Sequence, residues 1–283
     1  MAIRPFRLSI IEYLNAAPLN LGFKRGLGKD LFEMRFQVPS ACADSLRQGQ
    51  VDAGLISSIE YLRIPQLSLV PGLCIASPQR VRSVLLLSKV PPASIRSLAL
   101  DTSSRTSAAL ARILLRERFH SDPVTTDMGP DLPTMLAGND AALMIGDAAM
   151  RAPKDGLLVL DLAEEWHSWT GLPFVFALWM VHPDAPKLPG PGGTASYFHQ
   201  SLALGQAHLE TLVDEAERSV GWTRQELRDY FTRNIHYALG EPERASLVLF
   251  FSQAVRHGLA PALQELRFLD FPSEAAPSLP SQP

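Results

Sequence analysis

The 283-residue chain has only two cysteines, no glycine-rich phosphate loop, no clustered histidines and no apolar run approaching the ~20 residues of a membrane-spanning helix. Each shortage excludes a class of function. Cys42 and Cys74 show neither CxxC nor metal-type spacing, so they read as buried thiols in a reducing compartment rather than a disulfide framework. Without a Walker or GxGxxG pattern, the backbone is not arranged to wrap a nucleotide's phosphates. There is no GxSxG and no nucleophilic-cysteine context. His120, His167, His182, His199, His208, His236 and His257 never fall within four residues of one another, which leaves metal ligation unsupported. With 26 Lys and Arg against 29 Asp and Glu, the net charge is -3, so no basic excess points to nucleic acid.

Apolar residues make up 46% and charged residues 19%, a globular composition, in a chain long enough for two ordinary domains or one large one. The N-terminus has Arg4 and Arg7, but its apolar stretch is short and broken by Glu12 and Asn15. It does not read as a signal peptide, which points to the cytoplasm. FPSEAAPSLPSQP, from Phe271, is expected to be a loose tail.

Strands and helices alternate, predicting an α/β fold with largely parallel sheets. Strands are expected at 7–11, 33–38, 53–56, 84–88, 98–101, 141–145, 157–161 and 175–181. Helices are expected at 17–27, 40–48, 57–62, 106–119, 132–137 and 163–171. After His182 only helices are expected, over 197–220, 223–234 and from 242 to 258 or beyond. KVPPAS (89–94) interrupts the pattern and FVFALWMV (174–181) leaves it. Residues 1–88 are therefore expected to begin one lobe, 89–180 to form an inserted second lobe, 181–271 to complete the first, and 272–283 to form the tail. No internal repeat of fixed period is visible. Two crossings leave a cleft between the lobes, a usual place for a small ligand.

The densest polar signal is LALDTSSRTSAALARILL (98–115). A four-residue strand runs into Thr102, Ser103, Ser104, Thr106 and Ser107, where an amphipathic helix opens. Unpaired N–H groups and the helix dipole favour an anion there, and side-chain hydroxyls suit a small carboxylate. One hydroxyl would suffice as a cap, and five point to a ligand. Other strand ends deliver Asn15, Ser57 with Ser58, and Gly146 with Asp147; in parallel sheets, ligands sit beyond such carboxyl ends. The Asn15 amide can donate and accept at once, although a surface turn is an equal reading. Asp147 is read either as a helix cap or as a hydroxyl binder. Glu60, Tyr61 and the segment Glu164-Glu165-Trp166-His167 lack a catalytic context, since acids in a first helical turn commonly complement the dipole.

In order from about residue 7 to 182, IIEYLNAAPL, LISSIEYL, SVLLLSKVP, DTSSRTSAALARILL, ALMIGDAAM and DLAEEWHSWTGLPFVFALWMV resemble the chorismate dehydratases of menaquinone biosynthesis by the futalosine route. The resemblance implies a two-lobed fold like type II periplasmic binding proteins, with an inter-lobe cleft used for cytoplasmic catalysis. It implies conversion of chorismate to 3-[(1-carboxyvinyl)oxy]benzoate with loss of water and with no metal or organic cofactor. It assigns Asn15 to catalysis, and Ser57, Ser58, Ser83 and the serines of the 103–107 cluster to substrate. Thr102, Arg105, Thr106 and Asp147 join them on the local reading. Many relatives carry Arg where this chain has Ala17, so Arg105 or Arg82 is expected to anchor a carboxylate instead. The substrate's own enolpyruvyl carboxylate is expected to take the C3 proton while Asn15 orients the reacting groups. The rival readings are a non-catalytic carboxylate-binding protein, an enzyme like 1,4-dihydroxy-6-naphthoate synthase, whose cleft histidine has no counterpart before His120, and a regulatory effector-binding domain.

Overall fold

A computed structural model describes residues 4–271, and the tail expected over 272–283 lies outside them. The first lobe is built from β1 (Phe6–Ile10), α1 (Ala17–Lys24), β2 (Phe32–Phe36), α2 (Pro39–Arg47), β3 (Ala53–Ser57), α3 (Glu60–Arg63) and β4 (Ser68–Ser77). The chain then crosses to β5 (Val84–Ser88), β6 (Ser97–Asp101), α4 (Arg105–Phe119), β7 (Val124–Met128), α5 (Leu132–Ala137), β8 (Ala141–Ile145), α6 (Gly146–Arg151), β9 (Leu158–Asp161) and α7 (Leu162–Thr170). It returns through β10 (Phe174–Val181) to α8 (Gly193–Ala207), α9 (Leu209–Val220), α10 (Arg224–Asp229), β11 (His236–Ala238) and α11 (Glu241–Arg256).

The two sheets share one plan. The first runs β11-β4-β10-β3-β1-β2 and the second β9-β5-β8-β6-β7. In each, the first strand laid down after a crossing, β5 or β10, is antiparallel to both its neighbours, while four strands, β1 to β4 in one sheet and β6 to β9 in the other, point the same way; β11 adds an antiparallel edge to the first. The repeat is thus topological, with no sequence period. Central strands are covered on both faces and read as unbroken apolar runs: β3, β5, β8 and β10 are buried throughout.

The crossings differ from expectation. A boundary at residue 88 would sever β5 from its partners β8 and β9, and β10 lies wholly in the first sheet. The chain changes sheets between Ser77 and Val84, and again between Thr170 and Phe174. β4 was hidden by Pro71 and Gly72, which argue against a strand interior. The β4–β10 register slips there, between Leu69 and Cys74, and Gly72 takes φ +71, so the irregular stretch absorbs the proline. β7 and β11 are short or polar edge strands, and β11 corrects the expectation of helices alone after residue 182. The single helix expected over 197–220 breaks at His208, with φ -116 and ψ 30.

The carboxyl-terminal helices brace the first lobe from behind. A β-carbon on Gly205 would lie 2.0 Å from the Pro18 carbonyl oxygen, and one on Gly22 2.5 Å from Ser201 Cα, so α1 and α8 touch backbone to backbone. Ser201 Oγ donates to the Leu19 carbonyl at 2.7 Å and accepts from Gly22 N at 3.1 Å. The Trp166 indole, fully buried, packs edge-on against Phe174 at 5.3 Å and donates to Ser246 Oγ at 3.1 Å. The EEWH segment therefore anchors the second crossing onto α11, with Glu165 paired to Arg118.

Candidate active site

Both sheets point the carboxyl ends of their parallel strands at one another, and between them lies a partly open pocket. Its wall comes from equivalent loops of the two lobes. The loop after β1 supplies Ile11, Tyr13 and Asn15, and the end of β3 supplies Ser57. From the second lobe, the start of α4 gives Ser104 and Ser107, and the β8 end gives Ile145 and Gly146. Pro39, Leu55, Ile75, Val84, Phe176 and Ala177 complete it. Apolar walls with a few convergent polar groups are what a small organic ligand needs.

Asn15 sits in a 3-10 turn (Leu14–Ala16) whose backbone is held from two sides. Its carbonyl accepts from Tyr237 Oη at 3.1 Å, and Asn20 Nδ2, from within α1, holds the Ile11 carbonyl at 2.8 Å. The Asn15 side-chain oxygen is buried and has no partner among the described residues. A buried acceptor without a donor costs free energy, of order 1–3 kcal/mol, unless a ligand supplies one.

The α4 start sends its side chains in three directions. Ser104 is the N-cap, accepting from Ser107 N at 3.3 Å, and the two hydroxyls meet at 2.9 Å on the cavity side. Thr106, one residue round the helix, instead binds across the lobe boundary: its Oγ1 accepts from Ile59 N at 3.1 Å and meets Ser58 Oγ at 3.2 Å. Arg105 points elsewhere again, to Asp44 at 3.0 Å and Glu60 at 3.1 Å.

Of the expected site residues, Asn15, Ser57, Ser104 and Ser107 therefore converge, and the others do not line this cavity. Ser58 is fully buried and donates to the Val175 carbonyl at 2.8 Å. Ser83 is fully buried against the Tyr230 hydroxyl at 2.8 Å. Thr102 is exposed on another face, and Ser103 is bound to Asp101 through both its N–H and its hydroxyl. Asp147 Oδ1 accepts from Leu14 N at 3.2 Å, tying the second lobe to the first, and burial pushes its carboxyl upward. Neither arginine expected to anchor a carboxylate reaches the wall. Arg105 is spent on Asp44 and Glu60, while Arg82 pairs with Glu226 at 3.0 Å and stacks on Trp222 at 4.1 Å. The polar groups of the pocket are hydroxyls, an amide and a helix start, with no cation among the described residues that line it.

Sequence reasoning missed Tyr13, though it lies in the same motif as Asn15. A phenol three residues beyond a strand end was the available signal. Burial raises its pKa; Ser103 acts in the opposite sense, and Asp101 and Asp147 raise it further. No histidine lines the cavity, and among the described residues no three His, Cys, Asp or Glu converge as a metal site would require.

Fold and pocket together define a two-lobed protein of the periplasmic-binding-protein type, with a pocket between the lobes. The fold recurs in a crystal structure of a protein from Archaeoglobus fulgidus (TM-score 0.71, 17% identity, 90% of this chain and 98% of that one). It also recurs in the aliphatic sulphonate binding protein SsuA of Escherichia coli (TM-score 0.60, 13% identity, 96% of each). Residues 6–256 match the family described as menaquinone biosynthesis, and the chain belongs to that family. It is 30% identical over 266 residues to a chorismate dehydratase of Thermus thermophilus, covering 88% of this chain and 94% of that one. It is 34% identical over 172 residues to a chorismate dehydratase of Campylobacter jejuni, covering 59% and 63% respectively.

Proposed function

We propose that this chain is a chorismate dehydratase, a hydro-lyase that converts chorismate to 3-[(1-carboxyvinyl)oxy]benzoate and water in the cytoplasm. Family membership supports the activity. The observation that carries the site is the convergence of Asn15, Ser57, Ser104 and Ser107, from both lobes, on one pocket. The stretches 78–83 and 171–173 serve as the hinges by which the lobes admit substrate.

Chorismate carries two carboxylates on a ring that becomes aromatic when water leaves. One carboxylate is held at the α4 start by Ser104 and Ser107, where hydroxyls and the helix dipole favour an anion. Ser57 faces it from the first lobe. The apolar wall, Ile11, Leu55, Ile75, Val84, Ile145 and Phe176, packs the ring faces and keeps bulk water out. Asn15 has an unpartnered oxygen and an amide donor, so it can hold the reacting groups in register. The C3 proton passes to the substrate's enolpyruvyl carboxylate, the electron pair of the C3–H bond enters the ring, and the C4–O bond breaks. Aromatisation drives the step.

Purified protein is expected to consume chorismate and produce a benzoate absorbance band, with a product one water lighter by mass spectrometry. Binding of chorismate without turnover would make the chain a receptor and end this reading.

A further inference from the structure

This inference rests on the dehydratase reading and concerns the leaving group. A C4 hydroxyl departs readily only as water, so a proton must reach it as the C4–O bond breaks. Among the described residues lining the pocket, Tyr13 is the only one with a titratable side chain. Serine hydroxyls and the Asn15 amide are far weaker acids.

Tyr13 is held across the lobe boundary. It precedes the Leu14–Ala16 turn in extended conformation, at φ -75 and ψ 148, and its ring lies over Gly146 of the second lobe. A β-carbon there would stand 3.5 Å from the ring, and Gly146 has φ +58, so the seat suits glycine on both counts. Beside the phenol is Ser103, whose hydroxyl and N–H both donate to Asp101 Oδ1. Asp101 is 2% exposed, and its other oxygen has no partner among the described residues. Tyr13, Pro39 and Ile145 also line a wider recess that opens outward, so the phenol stands between cavity and solvent. Charged groups around it are Asp101 on β6, Asp147 and Arg151 on α6, Glu12 on its own loop, Lys24 on α1 and Glu215 on α9.

We propose that Tyr13 is the proton donor to the departing C4 hydroxyl, and that Ser103 and Asp101 are positioning residues that hold its phenol at the cavity mouth. The C4–O bond breaks with its electron pair on oxygen, and the Tyr13 proton completes the water molecule. The Ser103 hydroxyl turns from Asp101 to donate to the phenolate. Solvent in the outer recess restores the phenol, while the product's enolpyruvyl acid releases the proton it took from C3, so no proton is consumed overall. Burial raises the Tyr13 pKa, so the phenol carries its proton before the reaction.

Turnover of chorismate by the wild-type protein is measured first and decides the dehydratase reading independently of any variant. Tyr13→Phe then keeps the ring over Gly146 and removes only the hydroxyl. Its chorismate Kd by calorimetry is expected within about threefold of wild type while kcat falls about 100-fold, the scale of a lost general acid. Asp101→Asn is expected to lower kcat about tenfold with KM unchanged, as a misplaced donor would. Replacing Tyr13 with 3-fluorotyrosine, a stronger acid, should move the alkaline limb of the kcat profile to lower pH, a shift that a packing role cannot produce. A Tyr13→Phe kcat within twofold of wild type overturns the proposal. So does loss of chorismate binding in that variant, or a profile unmoved by fluorination.

Discussion

The two lobes repeat one strand order yet bring different chemistry to equivalent positions. After β1, the first parallel strand of lobe one, comes a 3-10 turn bearing a phenol and an amide; after β6, the first parallel strand of lobe two, comes a serine-capped helix start. After the third parallel strand, one lobe places Ser57 and the other Gly146. The lobes also differ in support. The first is braced by α8 through backbone contact at Pro18 and Gly22, whereas the α4 start is held mainly by its own cap and by bonds across the boundary. A shared topology sets where strand ends converge, and the loops decide what arrives there.

The largest expected effect falls on the first lobe's amide. Asn15→Ala should lower kcat about 100-fold, a typical result of losing a group that orients reactants; steady-state assay checks it, and near-normal kcat removes Asn15 from the mechanism. Gly205→Ala should then show how far the brace matters. Its β-carbon would overlap the Pro18 carbonyl, and overpacking of this kind costs about 3 kcal/mol, readable by denaturant titration.

Asp52 probes the same lobe by pH. Burial opposes its charge, but hydrogen bonds from Arg4 and Arg7 override that and hold its carboxyl down to about 2. A depressed carboxyl contributes stability that is full above its unfolded value near 4 and lost as pH falls through about 2. Asp52→Asn should therefore cost about 2 kcal/mol at pH 7 and almost nothing below pH 2. A pH-independent difference between the two melting curves would contradict the pairing.

On the second lobe, Ser104→Ala removes both a helix cap and a cavity hydroxyl. It should cost about 1 kcal/mol in stability and raise KM for chorismate several-fold. The smallest effect belongs to Arg105→Gln. Glu60 remains paired with Arg47 and Arg63, so KM should stay within about threefold and stability within about 1 kcal/mol. A hundredfold rise in KM would instead restore Arg105 as a carboxylate anchor.

Legibility followed burial and regularity. Strands 84–88 and 141–145 and helix 132–137 were readable to the residue, because unbroken apolar runs and a proline just inside a helix are local signals. β4 was not, since Pro71 and Gly72 forbid a regular ladder and only the slipped pairing with β10 accommodates them. Asn15 and Ser57 were legible as polar residues at strand ends. Tyr13 was not, because an aromatic beside a strand reads equally well as core.

Local chemistry along the chain determined the α/β alternation and the presence of hydroxyls at a helix start, and the family was legible through the resemblance of its motifs. What it could not decide was which hydroxyls face the ligand. Successive residues of a helix point about 100° apart, so Arg105, Thr106 and Ser107 look in three directions. Only the placement of Asp44, Glu60, Ser58 and Ile59 across the lobe boundary draws the first two away and leaves Ser104 and Ser107 to the cavity.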